Sequence, residues 1–204
     1  MYKKITIIAG ILTFMFNGNV FSQEKIATYN SAYLSKNFEI QAGKPNEKGD
    51  FDYYIDCFPS DTSTSKASLM LKNKQAPEFI EFLSTIKETF LKWKQTAIEN
   101  KVTELDKKIE YKNLSYGGAF LYGKWNFDYS VNISARFRII NDKYLLIIDS
   151  DALQSSSNQF IKSDGFRFVF NSAQEIDELI NGLDIEKVKE FYADKNGKED
   201  LFKN

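Results

Sequence analysis

The chain has 204 residues, with 27 basic and 28 acidic side chains, 43% apolar and 15% aromatic residues, one cysteine and no histidine. The missing histidine excludes Ser-His-Asp and Cys-His nucleophile systems, HExxH zinc proteases and histidine-ligated metals, so any catalysis would fall to carboxylates, Tyr, Lys or Ser. The apolar content is too high for disorder, and the length suits one domain around a sizeable core.

Residues 1–22 read as a secretory signal peptide. Lys3 and Lys4 precede an uncharged apolar run from Ile5 to Phe16, and Val20 and Ser22 are the small residues before a cut after Ser22. A spanning helix needs about 20 apolar residues, and this run stops at Asn17 and Asn19, so no transmembrane span is expected after processing. The expected location is periplasmic or secreted. Loss of Lys3 and Lys4 leaves 25 basic against 28 acidic groups with no basic cluster, which argues against a nucleic-acid partner.

Residues 24–36 show no sustained period and read as a loose lead-in to a domain spanning 23–204. Phe38, Ile40 and Ala42 alternate, turn formers fill Gly43–Gly49, and alternation resumes at Phe51, which predicts a hairpin with a long loop. Cys57 is in phase with Phe51, Tyr53 and Ile55 and should point into the core; one cysteine cannot form an internal disulfide. A loop at Pro59–Ser65 leads to a short strand from Ser68 to Lys72.

Pro77 suits a first helical turn, and Phe79, Phe82, Leu83, Ile86, Phe90, Trp93 and Ala97 make one stripe at helical spacing. A helix of about 22 residues would be about 33 Å long and must cover a sheet. Strands are then predicted near Lys108–Leu114 and Ala119–Tyr122, with a turn at Gly117-Gly118 between them and another at Gly123-Lys124.

From Trp125 to Ile139 every odd position is apolar and the even positions are polar, which predicts a long strand with one dry face. Such a strand exceeds the usual five or six residues and should carry a bend or bulge. Asn141-Asp142 predicts a two-residue hairpin turn into Tyr144–Asp149. A Ser-rich loop from Asp151 to Asp164 precedes a last strand, Gly165–Phe170. Ser172 and Glu175 form a capping-box pattern, Asn181-Gly182 reads as a left-handed stop, Asp184 caps a second short helix through Tyr192, and residues 194–204 read as a loose charged tail. The fold class is α+β: an antiparallel meander sheet with one long amphipathic helix and two short C-terminal helices. A long helix over a twisted antiparallel sheet resembles lipid-carrier and cystatin-like architectures, a likeness that carries no function without a site motif.

Candidate chemistry is sparse, and no cofactor or catalytic set is expected. Asp149 and Asp151 could bind a hard cation, but two carboxylates at a strand end usually just solvate the turn. Asp194–Asp200 fails the calcium-loop spacing, since its Gly comes fourth rather than sixth. Asp50, Asp52 and Asp56 share a strand face with Tyr54, the mixture a glycosidase uses and also what any wet strand face looks like. Tyr116, Phe120, Tyr122, Trp125 and Tyr129 exceed what one covered face needs, so core packing competes with a binding surface. With Arg136 and Arg138 on the wet face and Ser155, Ser156 and Asn158 in the loop, Tyr116, Phe120, Tyr122 and Trp125 form the candidate binding set.

The expected function is an exported, non-enzymatic protein binding a protein, glycan or lipid partner through an open sheet face. A carrier of an apolar, lipid-like ligand between sheet and helix, and a carboxylate-based hydrolase, are the alternatives. A filled core favours the first, an apolar cavity of several hundred Å³ the second, and a cleft with two carboxylates about 5–10 Å apart the third.

Overall fold

A computed structural model describes residues 23–200, so the expected export segment 1–22 lies outside the described residues. Strand β1 (Glu24–Ser31) pairs antiparallel with β2 (Lys36–Ala42), so most of the expected loose lead-in is an edge strand. Its period was hidden because the register shifts between Lys25 and Ala27; the extra residue, Ile26, breaks the alternation. β3 (Asp52–Pro59) and β4 (Ala67–Lys72) follow as expected, and α1 (Ala76–Glu99) carries Pro77 in its first turn. Phe79, Phe82, Leu83, Ile86, Phe90 and Ala97 are its buried stripe.

β5 (Leu105–Tyr122) is one strand of 18 residues, and the turn expected at Gly117-Gly118 does not exist. Both glycines serve close approach instead. A Cβ on Gly118 would lie 2.5 Å from Cδ2 of Leu153, and one on Gly117 would lie 2.9 Å from Cβ of Met70. The chain turns only at Gly123, at φ +67°, into β6 (Lys124–Ile140).

β6 carries the expected irregularity. Tyr116 pairs with Val131 but Gly118 with Asp128, so two residues of β6 oppose Gly117. The phase flips there. Val131, Ile133, Ala135, Phe137 and Ile139 are buried as predicted, but before the bulge the buried residue is Asn126, while Trp125 and Tyr129 face solvent. Asn141 and Asp142, both at positive φ, make the tight turn into β7 (Lys143–Ser150). β8 (Leu153–Gln154) and β9 (Lys162–Ser163) form a small ribbon, and β10 (Phe166–Phe170) returns between β7 and β3.

Helices α2 (Ala173–Asn181) and α3 (Ile185–Asp200) end the described chain, so residues 194–200 are helical where a loose tail was expected. The Ser172–Glu175 capping box is present, and Asp184 accepts the N–H of Glu186 at 3.0 Å. Gly182 is not a left-handed stop: its φ is −74°. Glycine is needed there because the space its Cβ would fill is taken by Cδ1 of Ile40.

The eight long strands run in the order β1-β2-β3-β10-β7-β6-β5-β4, and β3 also pairs with β4. Six strands therefore close into a ring of pairings, with the β1–β2 hairpin attached through β3. All three helices pack on the core face: Phe79 meets Tyr116 and Phe168, Phe90 meets Phe137, Ile176 and Leu179 of α2 are buried in the core, and the Tyr192 hydroxyl donates to Ala42. Between α2 and α3, Leu183 accepts from the Tyr53 hydroxyl. On the outer face, Leu145, Ile147 and Val169 form a small second cluster with Leu34 from the β1–β2 turn. Cys57 is buried with its thiol toward the Ile55 carbonyl, and burial pushes that thiol up.

Candidate functional site: a hollow on the outer sheet face

Strand pairing creates a row that no local stretch of sequence contains. Asp56 lies opposite Ser68, Ser68 opposite Ala119, and Ala119 opposite Phe127, so four residues from β3, β4, β5 and β6 cross the outer face in one line. At about 4.8 Å between strands the line is about 14 Å long. Its middle members are small, and although no helix covers this face, Ser68 and Ala119 are 3% and 2% exposed. They are the floor of a hollow of about 360 Å³ whose walls include Glu39, Gln41, Tyr54, Asp56, Lys66, Trp125 and Phe127. A second hollow of about 420 Å³ shares Gln23 and Tyr54 with it and holds Asp50, Asp52, Asn73 and Lys74.

The two carboxylates in the first hollow differ in state. Burial pushes the Asp56 carboxyl up, and the nearby Glu39 charge adds to this, although the Ser68 hydroxyl donating at 3.0 Å opposes it. Glu39 is held below the usual range by the Gln41 amide at 3.1 Å and by Lys25 at 3.3 Å. Burial also raises Asp52 and the Tyr54 hydroxyl, while Asp50 is ion-paired with Lys74 at 2.7 Å. Asp52 and Asp56 stand about 13 Å apart along the backbone, wider than the roughly 5–9.5 Å of a glycosidase pair, and line different hollows. The two carboxylates of one hollow are Glu39 and Asp56, on the paired strands β2 and β3 one step beyond the Ile40–Ile55 pair.

The residues expected to form a binding set divide into four groups. Tyr116 and Phe120 are core, 2% and 0% exposed, and the Tyr116 ring packs on Phe79. Tyr122, Trp125 and Tyr129 are surface residues, 49%, 43% and 68% exposed. The Ser-rich loop joins the same end of the sheet: the N–H of Ser156 donates to the Phe127 carbonyl and that of Gln154 to Asp128. Ser156 and Asn158 are exposed, but Ser155 is buried, its hydroxyl 3.1 Å from that of Ser157.

Arg136 and Arg138 lie farther along β6 and are engaged, with Asp106 at 3.2 Å and 4.0 Å respectively; Asp149 is 3.4 Å from Arg136 and 3.5 Å from Arg167. Asp149 is thus an ion-pair partner, and Asp151 accepts from Asn132 at 2.9 Å. Among the described residues no group of three or more metal-ligating side chains comes together.

Sequence reasoning missed Glu39, Gln41, Lys66, Ser68 and Ala119. Glu39 and Gln41 alternate with buried neighbours, which marks an outer face but not which strands adjoin it, and Ser68 and Ala119 lie in runs of buried residues with no alternation to mark them. The space between sheet and α1 is occupied by Phe79, Phe82, Phe90 and Phe137, all at most 2% exposed. At the far end of α1 lies an open apolar notch of about 270 Å³, lined by Trp93, Ala97, Val102 and Leu105. No family model, curated protein or solved structure matches the chain.

Proposed function

We propose that this chain is an exported, non-enzymatic binding protein that engages its partner through the outer face of the sheet. The observation that carries the reading is the contrast between the two faces. All three helices and the largest buried side chains are on the core face, whereas the outer face keeps a walled hollow with Trp125, Phe127 and Tyr54 around a floor of small residues. Exposed aromatic surface beside convergent polar groups is what recognition sites are made of. The filled space beside α1 favours this reading over a carrier, because the notch at its end is smaller than the roughly 300–1,000 Å³ of ligand pockets.

The test has two arms. Intact-mass analysis of protein from the native host should give a chain beginning at or next to Gln23, and retention of residues 1–22 would remove the export half of the proposal. Wild-type protein and an Ala119→Arg variant, matched in melting temperature, should then be used as bait against envelope and culture fractions. A partner held equally by both baits would remove the outer face from the proposal.

A further inference from the structure

We infer that the hollow over Ser68 and Ala119 is a binding site for a neutral sugar, one or two pyranose rings in size. The inference deepens the proposed binding function and rests on it for the choice of face. A pyranose has a C–H face that stacks on an aromatic ring and a rim of hydroxyls that both donate and accept. The hollow answers both needs. Trp125, Phe127 and Tyr54 supply rings, and Glu39 and Asp56 supply acceptors. Gln23 and Gln41 supply amides that do either, and Lys66 supplies a donor. Its volume of about 360 Å³ sits at the small end of ligand pockets, as a short sugar requires.

Other ligand classes fit less well. An apolar ligand would strip water from Glu39, Asp56, Lys66 and the two amides without pairing them. An anionic ligand would find no surplus positive charge, since Lys25 is taken by Glu39 and Lys66 shares the hollow with Asp56. A polyamine would need uncompensated negative charge, but Glu39 is already paired with Lys25, and Asp56 shares the hollow with Lys66. The small floor residues point the same way, since a leucine or phenylalanine at the Ala119 position would fill the space a ring would occupy.

The chain has two tryptophans, so Trp93→Phe leaves Trp125 as the only reporter in the hollow. Full-chain protein carrying that change should be titrated with cellobiose, maltose, mannobiose and diacetylchitobiose, and in parallel with digalacturonate and spermidine, following Trp125 emission. At least one neutral disaccharide should give a saturable shift. Ala119→Leu should weaken it by about tenfold or more, and so should Gln41→Ala, at a half-exposed position, in protein whose melting temperature is checked against the parent.

Absence of saturable binding across the neutral panel would overturn the inference. So would binding of digalacturonate or spermidine alone, or neutral binding that both variants retain. Turnover of the bound sugar would leave the sugar site standing and overturn the non-enzymatic reading. A bait partner lost with Ala119→Arg, together with no neutral sugar bound, would leave that reading standing and overturn the sugar.

Discussion

The carboxylate of Glu175 accepts the backbone N–H of Ala32 at 2.8 Å, tying the first turn of α2 to the end of the edge strand β1. One helical turn later, Glu178 takes the N–H of Asn30 at 3.0 Å. These donors point away from β2, the direction in which a further strand would add. Two side chains thus block part of an edge that would otherwise be open to pairing with another chain.

Glu175 also accepts from the N–H groups of Asn171 at 2.6 Å and Ser172 at 3.3 Å, and it is 4% exposed. Ser172→Ala should cost about 0.5–2 kcal/mol, as loss of a helix cap does. Glu175→Ala should cost more, about 2–4 kcal/mol, because three amides lose their acceptor at once. The double variant should fall short of the sum, since the two side chains cap one turn reciprocally. Urea melts of the three variants decide this, and strict additivity would show that the caps act independently.

Ile133 and Ser134 are neighbours on β6 with opposite fates, one buried at 8% and the other exposed. Ile133→Lys should unfold the protein, because a charge forced into an apolar interior costs several kcal/mol against a total stability of about 5–15. Ser134→Lys should change stability by less than about 0.5 kcal/mol. Thermal melts of the pair check the face assignment of the strand beyond its bulge.

Two aspartates should make opposite contributions to stability as pH changes. Burial raises the Asp61 carboxyl, but this is outweighed by hydrogen bonds from Ser63, Ser163, Asp164 and Thr64, and the group is held well below the usual range. Its folded value lies below its unfolded one, so its contribution is present above about pH 4 and is lost as pH falls toward the folded value. For Asp56, raised by burial, the sign reverses. The folded state holds the proton longer, so stability is lost as pH rises above about 4. Asp61→Asn should therefore destabilise at pH 7 and keep most of that effect at about pH 3, losing it only at still lower pH, whereas Asp56→Asn should stabilise at pH 7 and lose that gain by about pH 3. Denaturant midpoints at the two pH values are the measurement.

Gly182→Ala tests a contact against a backbone preference. At φ −74° alanine is conformationally welcome and would ordinarily stabilise by about 0.4–1 kcal/mol. Here the added methyl collides with Cδ1 of Ile40 and comes within 3.2 Å of Cβ of Ala27, so a loss of about 1–3 kcal/mol is expected. Combining it with Ile40→Val, which deletes that Cδ1 atom, should recover part of the loss in melts of the double variant.

Local pattern made most elements legible. The α1 stripe, the Asn141-Asp142 turn, the Ser172 cap and the dry face of β6 beyond the bulge each depend on residues within a few positions of one another. What escaped depended on partners far away in the chain. Gly117 and Gly118 look like a turn until Met70 and Leu153 are seen against them, and Gly182 looks like a helix stop until Ile40 is. β1 has its alternation broken by a single inserted residue. The hollow was beyond reach for the same reason, because Asp56, Ser68, Ala119 and Phe127 become neighbours only through three separate strand registers. Of the candidate aromatic set, the sequence could not separate Phe120, buried on the core face, from Trp125, on the outer one, because the bulge that reverses the phase of β6 involves ordinary residues, Tyr129 and Ser130.

The ring of strands also sets an order of events in the life of the chain. β3 and β10 meet through only two residue pairs, Phe166 with Pro59 and Arg167 with Phe58, the shortest pairing in the ring. Those partners lie about a hundred residues apart, and contacts between distant segments form slowly because a long loop must close first. A chain emerging N-terminus first from a ribosome has β2, β3 and β4 in hand early, but the end of β3 at Phe58 and Pro59 must wait for the last strand to arrive. Until then β7 also lacks its β10 neighbour. The nascent protein therefore passes through a period with unzipped strands on show, when a holding chaperone matters most and when truncation before Phe166 would leave a sheet that cannot be completed.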